Sequence, residues 1–331
     1  MRLITFEQDG RQRLGALIDH DAGCVDLALA AEAAGVPAAA FGSMLALIEA
    51  GEPELAAARR LIDKPANAAV LDAGAVRWLA PLPRPTQIRD YLCFEAHLVN
   101  AFKAAVEVAV RGADDPEAKR RELTASGLYD VPRVWYERPL YYSASRLAVC
   151  GTGTDIVWPS YSSLMDYELE LACVIGKPGR NIPKDRARAH VFGYTIFNDL
   201  SARDEQMIVM EGKLGPGKGK DFDNGNVFGP CLVTADEMPD PYGLAMTARV
   251  NGEEWSRGSS GDMYHTFEDV IAYTSRDETL HPGEILCSGT VGTGCGVEQM
   301  RFLSDGDVVE LEVEGIGVLK NRILTRREGN G

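Results

Sequence analysis

The stretch that decides the fold reads MDYELELACVIGK over residues 165–177 and, after a connector, YTIFNDLSARDEQ over residues 194–206. The first part, residues 167–176, is predicted to be a β-strand, since it ends in two β-branched residues followed by a glycine. Alternate side chains of a strand point to the same face. That face would carry three carboxylates: Asp166, Glu168 and Glu170.

Three carboxylates on one face repel one another unless a cation lies among them or water separates them. Residues 194–197 form a second strand-like run, which ends where Asp199 could supply a further carboxylate. Clusters of oxygen ligands suit Mg²⁺, Mn²⁺ or Ca²⁺ rather than zinc or copper. The pattern therefore predicts a divalent-metal site, with a solvent-exposed acidic strand face as the alternative.

The composition excludes several classes of function. The chain has 331 residues, of which 45% are hydrophobic and 25% charged, as is typical of a globular protein with one large or two unequal domains. A net charge of −15 disfavours nucleic acid and anionic membranes as partners. No apolar run is long enough to span a membrane, and the N-terminus lacks a signal sequence. Seven scattered cysteines without a C-x-x-C motif indicate reduced thiols, so a cytoplasmic location is predicted.

The order of predicted elements divides the chain in two. Residues 1–80 predict a small α+β unit, beginning with two strands joined by a turn at Asp9-Gly10. The proline-rich run at residues 81–85 marks the border to a second domain, residues 81–331. Two predicted helices at about 97–130 form an insertion, which is either a lid over a site or a packing decoration.

Other side chains could carry chemistry. His97 is a candidate general base or, alternatively, a surface histidine. Arg203 and Gln206 would share a helix face, where they could hold a carboxylate or simply be solvated. The glycine-rich residues 215–230 match no nucleotide-binding motif, and form either a mobile loop or one that brings Lys218 or Lys220 to a site. No serine or cysteine nucleophile motif is present, which favours metal-dependent chemistry.

Together these segments resemble the fumarylacetoacetate hydrolase family over residues 84–322. The motifs that carry the resemblance are DYLCFEAH at 90–97, YELELACVIGK at 167–177, FNDLSARDEQ at 197–206, GKDF at 219–222, PGEILCSGT at 282–290 and GDVVELEVEGIGVLKN at 306–321. The resemblance implies an α+β, mainly β fold, with a mixed β-roll catalytic domain behind the small N-terminal domain, and a homodimer.

The resemblance also implies roles for individual residues. The metal carboxylates would be Glu168, Glu170, Asp199 and Asp90, the catalytic pair His97 and Lys220, and the substrate contacts Arg203, Gln206, Tyr142 and Thr290. The chain departs from many members in two places. Asn100 stands where they have a glutamate, so the carboxylate partner of His97 must be Glu95, Glu298 or absent. Residues 143–146 lack the lysine that many members carry there.

We therefore expect a Mg²⁺- or Mn²⁺-dependent hydrolase that cleaves a C–C bond in a 1,3-diketo acid. In this scheme His97 activates water, and Lys220 helps to stabilise the enolate that leaves. The partner would be a small anionic keto acid such as an acylpyruvate. The alternative is a 2-keto acid decarboxylase, isomerase or hydratase that uses the same stabilised enolate. A non-catalytic binding protein is a further alternative, which Asn100 keeps open.

Overall fold

The structure, a computed structural model, describes residues 1–111 and 113–325. Residue 112, within the predicted insertion, and residues 326–331, at the end of the predicted second domain, lie outside the described residues. The strands are β1 Arg2–Gln8, β2 Arg11–Ile18, β3 Gly23–Asp26, β4 Val70–Asp72, β5 Arg77–Trp78, β6 Gln87–Tyr91, β7 Tyr141–Ala144, β8 Val149–Cys150, β9 Asp155–Val157, β10 Met165–Asp166, β11 Leu169–Ile175, β12 Gly179–Arg180, β13 Val191–Asp199, β14 Ser201–Ala202, β15 Asn226–Thr234, β16 Ala245–Val250, β17 Glu253–Ser259, β18 Thr279–Leu280, β19 Glu284–Cys287, β20 Val308–Val313 and β21 Gly317–Leu324. The helices are α1 Leu27–Ala33, α2 Met44–Ala50, α3 Glu52–Asp63, α4 Glu95–Val110, α5 Pro116–Ser126, α6 Arg133–Glu137, α7 Arg203–Met210 and α8 Phe267–Thr274.

The largest sheet follows the order β4-β3-β2-β1-β15-β13-β11-β19-β6-β7, with β5 and β8 paired at its side. Its central strands β11 and β13 run antiparallel, and Leu169 lies opposite Asn198. Strand β6 runs parallel to β19, so that Asp90 pairs with Cys287. This register gathers the ends of β6, β11 and β13 at one place. The α+β, mainly β fold class predicted from the sequence is confirmed.

A second sheet, in the order β17-β16-β20-β21-β9, packs against the first. Strand β20 alternates buried and half-buried positions, as a strand with one face in the core must. Its buried residues Val309, Leu311 and Val313 join Leu171 and Ile196 of the large sheet in one apolar cluster. Burial of this shared apolar surface holds the two sheets together.

The first 80 residues are not separated from the rest at the level of the sheet. Strand β1 pairs with β2 across the predicted turn at Asp9-Gly10, and both turn residues have positive φ, of 50° and 72°. Strand β1 also pairs with β15, so the N-terminal strands continue the central sheet. Because the sheet continues across the predicted border, the division of the chain into two domains near residue 81 stays a prediction.

The predicted insertion forms α4 and α5. Helix α5 begins at the Asp115 cap, whose carboxylate accepts from the Ala118 amide, and ends at Gly127 in the left-handed conformation. A small apolar cluster of Val106, Val110 and Leu123 joins the two helices. Whether the pair moves as a lid stays a prediction. Among residues 1–111 and 113–325, no helix is both long and apolar enough to cross a bilayer.

Candidate active site

Four buried carboxylates meet where the central strands end. Asp90 comes from β6, Glu170 from β11 and Asp199 from the last position of β13, while Glu168 precedes β11. One oxygen from each of the four lies within 4.8 Å of the others. All four are at most 5% exposed, so the solvent-exposed strand face considered from the sequence is wrong.

Oxygens of this cluster have the properties of cation ligands. Asp90 Oδ1, Glu170 Oε1 and Asp199 Oδ1 are buried and make no hydrogen bond within the described residues. Burial, together with the neighbouring carboxylates, raises the pKa of Asp90 and of Glu170 well above their ordinary values. Unpaired buried oxygens of this kind are costly unless a cation or protons compensate them. Four hard oxygen donors and three orphaned atoms therefore fit Mg²⁺, Mn²⁺ or Ca²⁺.

Lys220 is the cation that the chain itself supplies. Its Nζ lies 2.7 Å from Glu168 Oε2 and 2.6 Å from Asp199 Oδ2, and the residue is only 3% exposed. Burial would by itself lower the pKa of Lys220, but Asp199 and Glu168 outweigh it and raise the pKa above its usual value. The loop approaches closely because Gly219 packs on Gln206, where a Cβ would lie 2.5 Å from Gln206 Cα. The glycine-rich loop thus brings Lys220, rather than Lys218, to the cluster.

The guanidinium of Arg203, at the start of α7, already contacts side chains of the protein. Its Nε donates to Asp166 Oδ2 at 2.9 Å, and its NH1 lies 2.7 Å from Glu168 Oε1 and 3.0 Å from Gln206 Oε1. Burial would by itself raise the pKa of Glu168, but Lys220 and Arg203 outweigh it and hold the pKa below its usual range. A substrate carboxylate would therefore compete with these groups for the guanidinium.

Asp166 has a different role from the two carboxylates that follow it in sequence. Besides Arg203, it accepts the amide hydrogens of Gly296 at 2.7 Å and of Val297 at 2.9 Å. These bonds fix the loop that carries Glu298. The alternation of the strand pattern gave no signal of this, because the donors come from segments 37 and about 130 residues away.

His97 lies beside the cluster, in the first turn of α4, and is buried. Its Nδ1 is 2.8 Å from Glu298 Oε1, so Glu298, rather than Glu95, is its carboxylate partner. Asn100 donates to Glu298 Oε2 at 2.8 Å, which makes the unusual asparagine a support of this pair. Glu95 instead accepts from the Tyr136 hydroxyl at 2.5 Å. Within the described ranges, no hydrogen bond of His97 Nε2 is found.

The structure also places the remaining predicted residues. Tyr142 donates to Asp199 Oδ2 at 2.6 Å, so its hydroxyl lies at the cluster. Thr290 is buried in the turn after β19, next to Gly289, whose amide donates to Glu170 Oε2 at 3.0 Å. A side chain at Gly289 would lie 2.1 Å from the Tyr91 carbonyl oxygen, so this turn requires a glycine. The substrate-binding roles of Tyr142, Thr290, Arg203 and Gln206 stay predictions.

This fold and this buried ionic site are those of an enzyme. The chain belongs to the fumarylacetoacetate hydrolase family, since the family model described as "Fumarylacetoacetate (FAA) hydrolase C-terminal" matches residues 89–324. It is 34% identical to the human protein "Oxaloacetate tautomerase FAHD2A, mitochondrial" over 283 residues, 85% of this chain and 80% of that one. It is 32% identical to "Oxaloacetate tautomerase YisK" of Bacillus subtilis over 332 residues, 98% of this chain and 100% of that one.

A solved structure shares the whole fold. The fumarylacetoacetate hydrolase of Exiguobacterium antarcticum is 26% identical, with a TM-score of 0.70 over 98% of this chain and 100% of that chain. These relatives support the main expectation from the sequence, a C–C hydrolase, only in part, because their tautomerase names fit its isomerase alternative better. A cytoplasmic location and a homodimer stay predictions.

Proposed function

We propose that this protein is a divalent-metal-dependent tautomerase that interconverts the keto and enol forms of oxaloacetate or a closely similar 2-keto acid. The geometric observation that carries the proposal is the His97–Glu298 pair, held at the edge of four buried carboxylates. Whole-length similarity to a protein named oxaloacetate tautomerase supports this reaction over hydrolysis.

Asp90, Glu168, Glu170 and Asp199 would hold the cation, as their unpaired oxygens suggest. A bound Mg²⁺ or Mn²⁺ would supply Lewis-acid polarisation of the substrate's keto group. Among the residues that the structure describes, two cationic side chains, Arg203 and Lys220, face the five carboxylates Asp90, Asp166, Glu168, Glu170 and Asp199. The ionised site is therefore negative without a metal, and an anionic keto acid would be repelled from it.

The tautomerisation moves one proton between C3 and the C2 oxygen of the substrate. Glu298 Oε1 accepts a hydrogen bond from the Nδ1–H of His97, so Nε2 of the neutral imidazole carries no hydrogen and is the base. In the enol-forming direction, His97 Nε2 takes a proton from C3, and the electron pair of the C–H bond forms the C2–C3 double bond. The π pair of the C2 carbonyl moves onto its oxygen, which takes up a proton from solvent to give the enol. His97 Nε2 returns its proton to C3 in the reverse direction.

Lys220 contributes a positive charge at the place where the substrate oxygen becomes negative. Its two ion pairs keep it protonated and fixed, so that no reorganisation is needed when charge develops. Arg203 acts on the substrate indirectly, because it positions Glu168 through a 2.7 Å contact. Tyr142 positions Asp199 in the same way.

The experiment follows the ultraviolet absorbance of enol-oxaloacetate, which falls as the enol converts to the keto form. The solution contains Mg²⁺ and a buffer that catalyses this conversion only weakly. The wild-type protein should accelerate the decay, and His97→Asn should lose about 10²–10⁴-fold. His281→Asn, which changes an exposed histidine, is the matched control and should keep the activity. A His97→Asn variant as fast as the wild type would exclude His97 as the base.

Hydrolysis of an acylpyruvate is the second candidate. The same His97–Glu298 pair could direct a water instead of taking a C–H proton, and the solved relative is named a fumarylacetoacetate hydrolase. Both candidate activities can be measured on one preparation of the protein, which distinguishes them. Formation of pyruvate from an acylpyruvate, without acceleration of enol-oxaloacetate decay, would favour the hydrolase.

A further inference from the structure

A buried thiol lies against the His97–Glu298 pair and has no part in the proposed reaction. Cys295 is fully buried, and its Sγ donates to Glu298 Oε1 at 3.3 Å and lies 3.9 Å from His97 Nδ1. The backbone of Cys295 also forms an isolated bridge with Glu168. Ligand atoms of His97, Glu168 and Cys295 all lie within 4.8 Å of one another. A sulfur, a nitrogen and carboxylate oxygens thus converge beside the carboxylate cluster.

We propose that Cys295, His97 and Glu298 form a second cation site, specific for thiophilic divalent ions such as Zn²⁺ and Cd²⁺, and that its occupation blocks the base. Thiolate, imidazole and carboxylate are the ligands that zinc takes in proteins. They differ from the all-oxygen set of the neighbouring cluster, which suits harder ions. Binding exchanges the thiol proton of Cys295, which leaves to solvent, for a bond from sulfur to the metal. The proton of His97 shifts from Nδ1 to Nε2, which frees Nδ1 to bind the metal and leaves Nε2 unable to act as a base.

The separations of the three atoms support this site. Metal–ligand lengths of about 2.0–2.3 Å in a tetrahedral zinc site place ligand atoms about 3.3–3.6 Å apart. The observed separations are 2.8 Å for Nδ1 to Oε1, 3.3 Å for Sγ to Oε1 and 3.9 Å for Sγ to Nδ1. Shifts of a few tenths of an ångström would bring all three to a common metal.

A second buried thiol provides an internal comparison. The Sγ of Cys287 lies within 4.8 Å of a carboxylate oxygen of Asp90 and of Glu170. That group has no imidazole, and both of its carboxylates belong to the set proposed for Mg²⁺. In Mg²⁺-saturated protein, the thiophilic ion should therefore bind at Cys295 rather than at Cys287.

Binding can be measured without any enzymatic activity. Co²⁺ added to the Mg²⁺-saturated protein should give the near-ultraviolet charge-transfer absorption of a cobalt–thiolate bond. The absorption should be absent in Cys295→Ser and in Cys295→Ala. It should persist in Cys287→Ser, and in Cys150→Ser, which changes a buried thiol outside the site. Absorption that persists in both Cys295 variants, or that disappears in Cys287→Ser, would overturn the assignment.

The predicted inhibition rests on the proposed function and is tested separately. At saturating Mg²⁺, Zn²⁺ should slow enol decay about 100-fold or more in the wild type, because a metal on Nδ1 breaks the bond that orients the base. Raising Mg²⁺ should not restore the rate, and a chelator followed by Mg²⁺ should. In Cys295→Ser, Zn²⁺ should slow enol decay by less than about twofold, compared with the rate of the same variant without Zn²⁺.

Restoration of the wild-type rate by Mg²⁺ alone would place the zinc at the carboxylate cluster and overturn the proposed inhibition. A cobalt–thiolate absorption in a protein without tautomerase activity would support the site and contradict only the proposed function.

Discussion

Replacement of Glu298 by glutamine tests how the base is oriented. The carboxylate accepts four donors: Oε1 faces His97 Nδ1 and Cys295 Sγ, and Oε2 faces the Asn100 amide and the Thr293 backbone N–H. Glutamine keeps the shape but must turn an NH₂ group towards one of these pairs. Towards Asn100 and Thr293 it would meet the Thr293 backbone N–H, which cannot accept even when the Asn100 amide turns its oxygen inward.

The NH₂ group should therefore face His97, whose ring can adapt by moving its proton from Nδ1 to Nε2. In that tautomer Nε2 is a donor and can no longer take a proton. The expected loss in kcat is the contribution of a general base, about 10²–10⁴-fold, or about 2.7–5.5 kcal/mol of barrier. Mg²⁺ affinity should change little, because within the described residues the hydrogen bonds of Glu298 go to groups outside the four cluster carboxylates.

The assay is enol-oxaloacetate decay at saturating Mg²⁺, with Mg²⁺ binding measured by calorimetry on the same sample. Glu95→Gln is the matched control, since Glu95 lies two residues before His97 but contacts Tyr136 instead. It should keep activity within a few-fold of the wild type. Equal rates for Glu298→Gln and wild type, or an equal loss in Glu95→Gln, would refute the role of Glu298.

Four further outcomes are expected. Glu170→Gln should weaken Mg²⁺ binding strongly and leave the fold intact, whereas the exposed Glu117→Gln should not; full activity after exhaustive chelation would contradict the metal requirement. Because burial raises the pKa of Asp90 and of Glu170, Mg²⁺ should displace protons and bind more tightly as pH rises; calorimetry in buffers of different protonation enthalpy that finds no proton release would contradict this. Amides of residues 97–131 should exchange more slowly with Mg²⁺ and oxalate bound, and equal protection would indicate a static insertion. Thr266→Ala should lower the free energy of unfolding by about 1 kcal/mol in denaturant titration, since it removes a capping box; an unchanged value would show that the box contributes nothing.

Local patterns determined much of the fold. The cap at Thr266, the left-handed stop at Gly127 and the turn at Asp9-Gly10 are set by residues within a few positions of one another. Such features depend on short-range backbone chemistry, so the sequence indicates them directly. The strand predicted at residues 167–176 is shorter in the structure, where β11 covers Leu169–Ile175 and Tyr167 and Glu168 separate it from the short β10.

Less of the candidate site than of the fold could be predicted from the sequence. Alternation placed Glu168 and Glu170 on one face, and the end of the next strand-like run added Asp199. The family motifs added Asp90 and favoured Lys220 over Lys218, and the structure brings these residues together. Alternation could not distinguish Asp166, which pairs with Arg203, from its two neighbours. Nor could it decide between a buried cluster and an exposed acidic face, because burial depends on what packs over the strand.

Tertiary structure alone decided the partner of His97. From the sequence, Asn100 left open whether Glu95, Glu298 or no carboxylate is the partner, whereas the fold brings Glu298 from 201 residues away and uses Asn100 to hold it. The thiol of Cys295 reaches the same pair through the same loop. Local sequence determines which residues are strands, turns and caps. Which carboxylate meets which histidine is determined by the packing of strands that are distant in the chain, and no short-range pattern records it.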